Sequence, residues 1–139
     1  MNLSQKCKRK IEKVPFKVLD MLSLADDFYL NLVDWSLVNV LAVGLGSCVY
    51  LGSACTSKVT KLCDLGVSSQ YSVTSVALTQ KGTHLAVGVN NGEVQIWDTI
   101  KCKKIQTMGG YSARIGALSW SGATLASGSR DRLIYLRDV

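Results

Sequence analysis

The sequence has few of the residues from which catalytic and metal sites are built. Its 139 residues include one histidine, His84, and five cysteines with no Cys-x-x-Cys pair among them. Neither feature has the ligand spacing of a zinc site. No Gly-x-Ser-x-Gly elbow, phosphate-binding loop or His-Glu-x-x-His motif occurs. We therefore expect no enzymatic activity, no bound metal and no cofactor.

The proline and cysteine contents indicate an ordered chain with free thiols. A single proline, Pro15, and the lack of long polar runs argue against extensive disorder. An odd number of cysteines without a signal peptide favours a reducing compartment in which the thiols are free.

Positive charge is concentrated at the start of the chain. The formal net charge is +6, and residues 1–14 carry Lys6, Lys8, Arg9, Lys10 and Lys13. Such a basic leader is typical either of a nuclear-import or nucleic-acid-binding patch or of a solvated segment before the first strand. No aromatic residue is interleaved with these side chains, so a platform for stacking bases is not predicted. We expect no nucleic-acid partner.

A long uncharged stretch raises the alternative of a membrane span. Residues 35–57 contain no charged residue and are numerous enough for a helix to cross a bilayer. Several glycines and serines lie within the stretch, however. Its two halves also align with later segments that are interrupted by charged residues such as Glu93 and Arg130. We therefore predict strands in this region and no membrane association.

Three copies of one pattern organise the chain. The runs Val40–Gly44, His84–Gly88 and Thr124–Gly128 alternate in the same way and end in glycines that are 44 and 40 residues apart. A second alternating run follows each copy, at Val49–Leu51, Val94–Ile96 and Ile134–Leu136. After the middle copy comes the pair Trp97-Asp98. A period near 40 residues with short strands and a Trp-Asp ending is typical of WD-type β-propeller blades.

The repeat predicts an all-β chain of WD-repeat propeller blades with no long helix. Each blade should contain an inner strand, two middle strands and an outer strand, and the third blade should lack its outer strand. Three blades do not close a ring, which normally needs about four to eight. Residues 15–139 are therefore predicted to be a partial propeller. Its parts are a leading strand at 15–20, blade one at 28–65, blade two at 73–108 and an incomplete blade three at 113–139.

Several long motifs closely resemble one protein family. They are Pro-Phe-Lys-Val-Leu-Asp at 15–20, Asp-Asp-Phe-Tyr-Leu-Asn-Leu-Val-Asp-Trp-Ser at 26–36, Val-Gly-Leu-Gly-Ser-Cys-Val-Tyr-Leu at 43–51 and Ser-Gly-Ser-Arg-Asp-Arg at 127–132. From about residue 9 to residue 139, the chain is similar to the Fizzy-related activators of the anaphase-promoting complex. The resemblance implies a WD-repeat propeller of seven blades that recruits substrates to a ubiquitin ligase. This chain resembles the first three blades.

The resemblance also implies roles for particular residues. Asp27 maps to the acidic residue expected to bind a degron arginine, and Asp34 to the one expected to bind a degron lysine. Taken without the family, a turn cap at Asp27 and a solvated strand end at Asp34 fit the sequence as well. Four residues are predicted to hold the blades together: Trp97, Asp98, Ser127 and Asp131.

Departures from the family pattern bear on the predicted function. Gly52 stands where the family has tryptophan, and Tyr111 and Arg137 replace the histidine and tryptophan of the third blade. The family's ligase-docking box and Ile-Arg tail have no match in the sequence. The prediction is therefore a truncated, functionally impaired adaptor of the anaphase-promoting complex in the nucleus and cytoplasm, with that complex and degron-bearing proteins as partners. The alternative is an inert or structural WD-repeat fragment with a generic protein-binding role.

Overall fold

The computed structural model describes residues 32–53, 56, 58–65, 71–110, 112–130 and 132–139. Within these residues eleven strands form three antiparallel sheets, and no helix is present. Sheet one contains β1 (Val33–Trp35), β2 (Val40–Leu45), β3 (Cys48–Ser53) and β4 (Val59–Asp64). Sheet two contains β5 (Val73–Leu78), β6 (His84–Val89), β7 (Val94–Asp98) and β8 (Lys103–Met108). Sheet three contains β9 (Ile115–Ser121), β10 (Thr124–Ser129) and β11 (Ile134–Asp138).

The predicted all-β architecture is confirmed. In each sheet the strands are neighbours in the order of the sequence, as in consecutive propeller blades. The stretch 35–57, considered above as a membrane span, contributes β2 and β3 instead. Over the described residues, no helix has the length and apolar character needed to cross a membrane. The predicted leading strand at 15–20 lies outside the described residues.

Turns with a left-handed backbone precede β3, β7 and β11. Gly46 connects β2 to β3 with a φ of 62°, and Gly92 precedes β7 with a φ of 92°. Arg132 precedes β11 with a φ of 73°. A side chain in this region costs roughly 1–2 kcal/mol, so the turn before β11 is less favourable than the other two.

Two apolar cores lie between the sheets. The first contains Val49 and Leu51 from sheet one and Val73, Leu85 and Val87 from sheet two. The second is formed by sheets two and three, and its members include Ala86, Val94, Ile96, Ile115 and Leu125. Neighbouring residues on a strand point to opposite faces, so sheet two contributes to both cores. This explains why every residue of β5 is buried.

The repeated glycines allow adjacent sheets to approach closely. A Cβ atom at Gly44 would lie 2.7 Å from Cγ1 of Val73, and one at Gly88 would lie 2.8 Å from Cβ of Ile115. Such distances are too short for two carbon atoms that are not bonded. Glycine is therefore required at both positions, where the first residue of the inner strand in the next sheet packs against it. At Gly128 the nearest atoms belong to its own sheet and would be 3.8 and 3.9 Å away, which is ordinary contact.

Burial controls the chemistry of one cysteine. Cys63 lies in the core between sheets one and two, whereas Cys102 is exposed. Burial, with smaller contributions from Cys48 and Asp64, raises the pKa of the Cys63 thiol from 9.0 to about 12. The thiol is therefore neutral at physiological pH and a poor nucleophile.

We predict that alanine is tolerated at Gly128 and not at Gly88. Gly88→Ala places a methyl group against Ile115 and the Ser75 hydroxyl, and such overpacking should lower the free energy of unfolding by about 1–3 kcal/mol. Gly128→Ala has room and restricts the unfolded chain, so stability should be unchanged or about 0.4–1 kcal/mol higher. Urea denaturation followed by tryptophan fluorescence measures both. Equal losses in the two variants would contradict the close-approach explanation.

We also predict a dependence of stability on alkaline pH that originates from Cys63. The pKa of this thiol is higher in the folded than in the unfolded chain, so its contribution is fully present below pH 9.0 and is lost as pH rises toward about 12. The Cys63→Val variant should therefore lose less stability between pH 9 and 11 than the wild type, by up to about 1.4 kcal/mol per pH unit. Cys102→Ser is the control and should follow the wild type. Parallel curves for all three proteins would show that Cys63 is not the origin.

Candidate functional site

Asp34 joins the first two sheets at their inner edges. In β1 it lies opposite Ala42 of β2, and its side chain is half-buried. Its Oδ2 accepts a hydrogen bond from the backbone N–H of Leu78 at 2.7 Å, and its Oδ1 accepts one from the N–H of Trp35 at 2.8 Å. Leu78 belongs to β5, an edge strand of sheet two. The carboxylate therefore supplies the acceptor that a neighbouring strand would otherwise give to the N–H of Leu78. The two N–H donors fix the orientation of the carboxylate.

Side chains also join sheets two and three at their inner edges. The hydroxyl groups of Thr74 and Ser75 both donate to the carbonyl oxygen of Ile115, at 2.6 and 3.0 Å. A register shift between Val73 and Ser75 accounts for two neighbouring side chains reaching one acceptor. In the opposite direction, Nε1 of Trp120 donates to the carbonyl oxygen of Ala77 at 2.9 Å. These contacts hold the inner strands together without a continuous sheet.

The contacts between sheets two and three were not predicted from the sequence. Their signal is the pair of hydroxyl residues, Thr74 and Ser75, in the otherwise apolar strand β5. Buried hydroxyl groups require hydrogen-bond partners, and both residues are buried. The sequence shows that a partner is needed but does not identify it, because Ile115 is 40 residues away from Ser75.

Trp97 and Ser127, predicted to hold the blades together, both contribute to the packing. Trp97 is half-buried against the core between sheets one and two, and its Nε1 donates to Oε1 of Gln95 at 3.0 Å. Ser127 is buried in β10. Asp131 lies outside the described residues, so its predicted role with Ser127 stays a prediction.

Asp98 fixes the loop that leads into β8. Its Oδ1 accepts hydrogen bonds from the N–H groups of Ile100 and Lys101, at 2.8 and 2.9 Å. The hydrogen bond from Lys101 in particular, and then that from Ile100, hold the pKa of this carboxyl group below its usual value. The aspartate of the Trp-Asp pair therefore caps a turn.

Gly52, where the family pattern has tryptophan, occupies the position of Trp97 in sheet one. Gly52 pairs with Leu41 and Val59, as Trp97 pairs with Leu85 and Lys104. A Cβ at Gly52 would meet only Cγ2 of Val59, at 4.0 Å. The first carbon of a side chain at this position therefore has room among the described neighbours.

Asp27, predicted to bind a degron arginine, lies outside the described residues. In the part of the chain that the structure describes, no group of three or more His, Cys, Asp or Glu side chains is arranged to hold a metal ion.

Known proteins with similar sequences cover nearly all of this chain. It is 63% identical over 134 residues to the B-type cell cycle switch protein ccs52A of Medicago truncatula and 61% identical to Protein FIZZY-RELATED 1 of Arabidopsis thaliana. It is 48% identical over 136 residues to the anaphase-promoting complex subunit cdh1 of Dictyostelium discoideum. The chain spans 28% of the length of the first two relatives and 18% of the third. The predicted resemblance to Fizzy-related proteins is confirmed.

Solved structures and a family comparison agree with the fold. A chain in the crystal structure of the mitotic checkpoint complex is 39% identical, with a TM-score of 0.87 over 97% of this chain and 42% of its own length. The computationally designed Ika4 protein, at 17% identity and a TM-score of 0.64, is similar in fold alone and matches 77% of this chain and 64% of its own. Residues 53–123, about half of the chain, match the family described as the anaphase-promoting complex subunit 4 WD40 domain. The chain therefore belongs to this WD40 domain family.

Proposed function

We propose that this chain belongs to a Fizzy-related adaptor that brings substrate proteins to the anaphase-promoting complex, a ubiquitin ligase, in the nucleus and cytoplasm. Relatives named as cell cycle switch proteins and as an anaphase-promoting complex subunit support the proposal. In this proposal the chain binds proteins and does not catalyse ubiquitin transfer. The chain spans 28% of the length of ccs52A. The adaptor activity of the whole protein is therefore proposed for this chain.

The observation that carries the proposal is the geometry of the Asp34 carboxylate. Hydrogen bonds from Leu78 and Trp35 use one acceptor position on each oxygen, and a carboxylate has about four such positions. Among the described residues, no lysine or arginine forms an ion pair with Asp34. An incoming ammonium group can therefore form a charge-assisted hydrogen bond with a carboxylate that is already oriented. This chemistry suits the lysine of a degron, and Asp27 is proposed to bind a degron arginine.

A structural role without substrate binding is the alternative, and the exposed side chains of β11 favour it. Ile134 and Leu136 are 75% and 73% exposed. A strand with such residues pairs readily with strands of other chains. The two functions differ in whether Asp34 contributes to binding a basic peptide.

The structural role of Asp34 can be separated from its charge. Asp34→Ala leaves the N–H of Leu78 without its acceptor, so the free energy of unfolding should fall by about 1–3 kcal/mol. Asp34→Asn retains one oxygen for Leu78 while water serves the exposed Trp35, so stability should remain within about 1 kcal/mol of the wild type. Urea denaturation compares the three proteins. An alanine variant as stable as the wild type would show that the link to Leu78 contributes nothing.

Peptide binding by the asparagine variant tests the function. A fluorescein-labelled peptide containing Lys-Glu-Asn is titrated with the 139-residue chain and followed by fluorescence anisotropy. Asp34→Asn should weaken binding by about fivefold, the effect of one exposed charge pair, and should not affect a control peptide containing Ala-Glu-Asn. Equal losses for both peptides would exclude a contact between Asp34 and the lysine. If the wild type binds neither peptide, the structural alternative is favoured.

A further inference from the structure

A groove separates sheets one and two at the end where each inner strand turns into the second strand. Its volume is about 490 Å³, which lies in the range of sites that bind small ligands or a few side chains. The groove is distinct from Asp34, which does not line it. Six of the lining residues decide its chemistry: Val38, Val40, Leu51, Ile100, Lys58 and Lys81.

Four aliphatic side chains line this groove, and most of the other lining residues are threonine, serine, glycine or lysine. Of the four, Leu51 is buried and Val40 is half-buried. Val38 and Ile100 are 53% and 79% exposed on opposite sheets. Exposed apolar side chains on both sides of a concave surface can cover an apolar side chain from a partner.

Backbone hydrogen bonds hold the two walls in place. The N–H of Leu37, next to Val38, donates to the carbonyl oxygen of Gln80 at 3.1 Å across the two sheets. On the other wall, the N–H of Thr99 donates to the carbonyl oxygen of Thr83 at 3.0 Å, next to Ile100. The backbone beside Val38 and Ile100 is therefore held before a partner binds, which reduces the entropic cost of association.

The charge of the groove selects the partner. Lys58 and Lys81 line it from different sheets, and no carboxylate is among its lining residues. Both lysines are exposed, and within the described residues neither makes an ion pair with an acidic side chain. The groove therefore combines four aliphatic side chains and several hydroxyl groups with two positive charges. It complements an apolar side chain with acidic neighbours.

We propose that this groove binds a short segment of a partner protein in which a large apolar side chain is flanked by carboxylates. The apolar side chain packs between Val38 and Ile100, and the carboxylates interact with Lys58 and Lys81. This binding is independent of Asp34, so one segment can occupy the groove while a basic motif occupies the proposed degron site.

The test uses three fluorescein-labelled hexapeptides that differ only at the centre: Glu-Phe-Glu, Glu-Ala-Glu and Lys-Phe-Lys. Each is titrated with the full 139-residue chain and followed by fluorescence anisotropy. The Glu-Phe-Glu peptide should bind about tenfold or more tightly than either of the others, because only it supplies both the apolar and the acidic group. Similar binding of Glu-Phe-Glu and Glu-Ala-Glu would overturn the proposal, since charge alone would then explain the binding. Failure of Glu-Phe-Glu to bind would also overturn it.

Matched variants locate the bound peptide. Lys58→Glu and Ile100→Ser should each weaken Glu-Phe-Glu binding by about tenfold, and both replace exposed residues, so folding should be unaffected. The controls are Lys103→Glu, an exposed lysine on β8 outside the groove, and Ile105→Ser, which lines the corresponding groove between sheets two and three. Both controls should bind like the wild type. Loss of binding in Ile105→Ser but not in Ile100→Ser would place the peptide in the other groove and overturn the proposal.

Asp34→Asn distinguishes this proposal from the proposed function. The variant should bind Glu-Phe-Glu as the wild type does, whatever its effect on the Lys-Glu-Asn peptide. A loss of Glu-Phe-Glu binding in this variant would show that the two sites are not independent, contrary to the proposal.

Discussion

The architecture depends on the distance between the second strand of one sheet and the first residue of the inner strand in the next sheet. Gly44 beneath Val73 and Gly88 beneath Ile115 set this distance, because a methyl group at either glycine would separate the sheets. The close approach brings the inner edges within hydrogen-bonding distance. Asp34 can then accept from Leu78, and Thr74 and Ser75 can donate to Ile115. The close packing of the backbones and the hydrogen bonds between the inner strands are thus two consequences of the short distance at these glycines.

The strands and their order could be predicted from the sequence because the repeat is local. Alternating runs that end in glycine appear three times, and in the structure they are β2, β6 and β10. The register of neighbouring strands follows from short turns such as that at Gly46. Cores between consecutive sheets then follow from alternation, since β5 and β6 of the middle sheet each place residues in both cores.

The contacts between sheets could not be predicted in the same way. Asp34 was expected to contact a ligand because the family resemblance indicated that role, and the sequence contains no feature that pairs it with the N–H of Leu78, 44 residues away. Trp97 was expected to help hold the blades together, but the sequence did not show that its indole N–H donates to Gln95, two residues away. Side-chain partners depend on the twist and separation of sheets, which the repeat pattern does not encode residue by residue. The groove between sheets one and two arises from the same packing and has no local motif.

The outer edges of the three sheets differ in chemistry. On sheet one, β4 carries Lys61, and on sheet two, β8 carries Lys103 and Lys104. Lysines on an edge strand oppose the addition of another strand because their charges would be brought together and desolvated. On sheet three, β11 carries Arg137 as well, but its Ile134 and Leu136 are more exposed than Ile105 of β8 or Val59 of β4. Among the described strands, β11 is therefore the edge at which another strand adds most readily, and covering it should raise the solubility limit and lengthen the lag before turbidity.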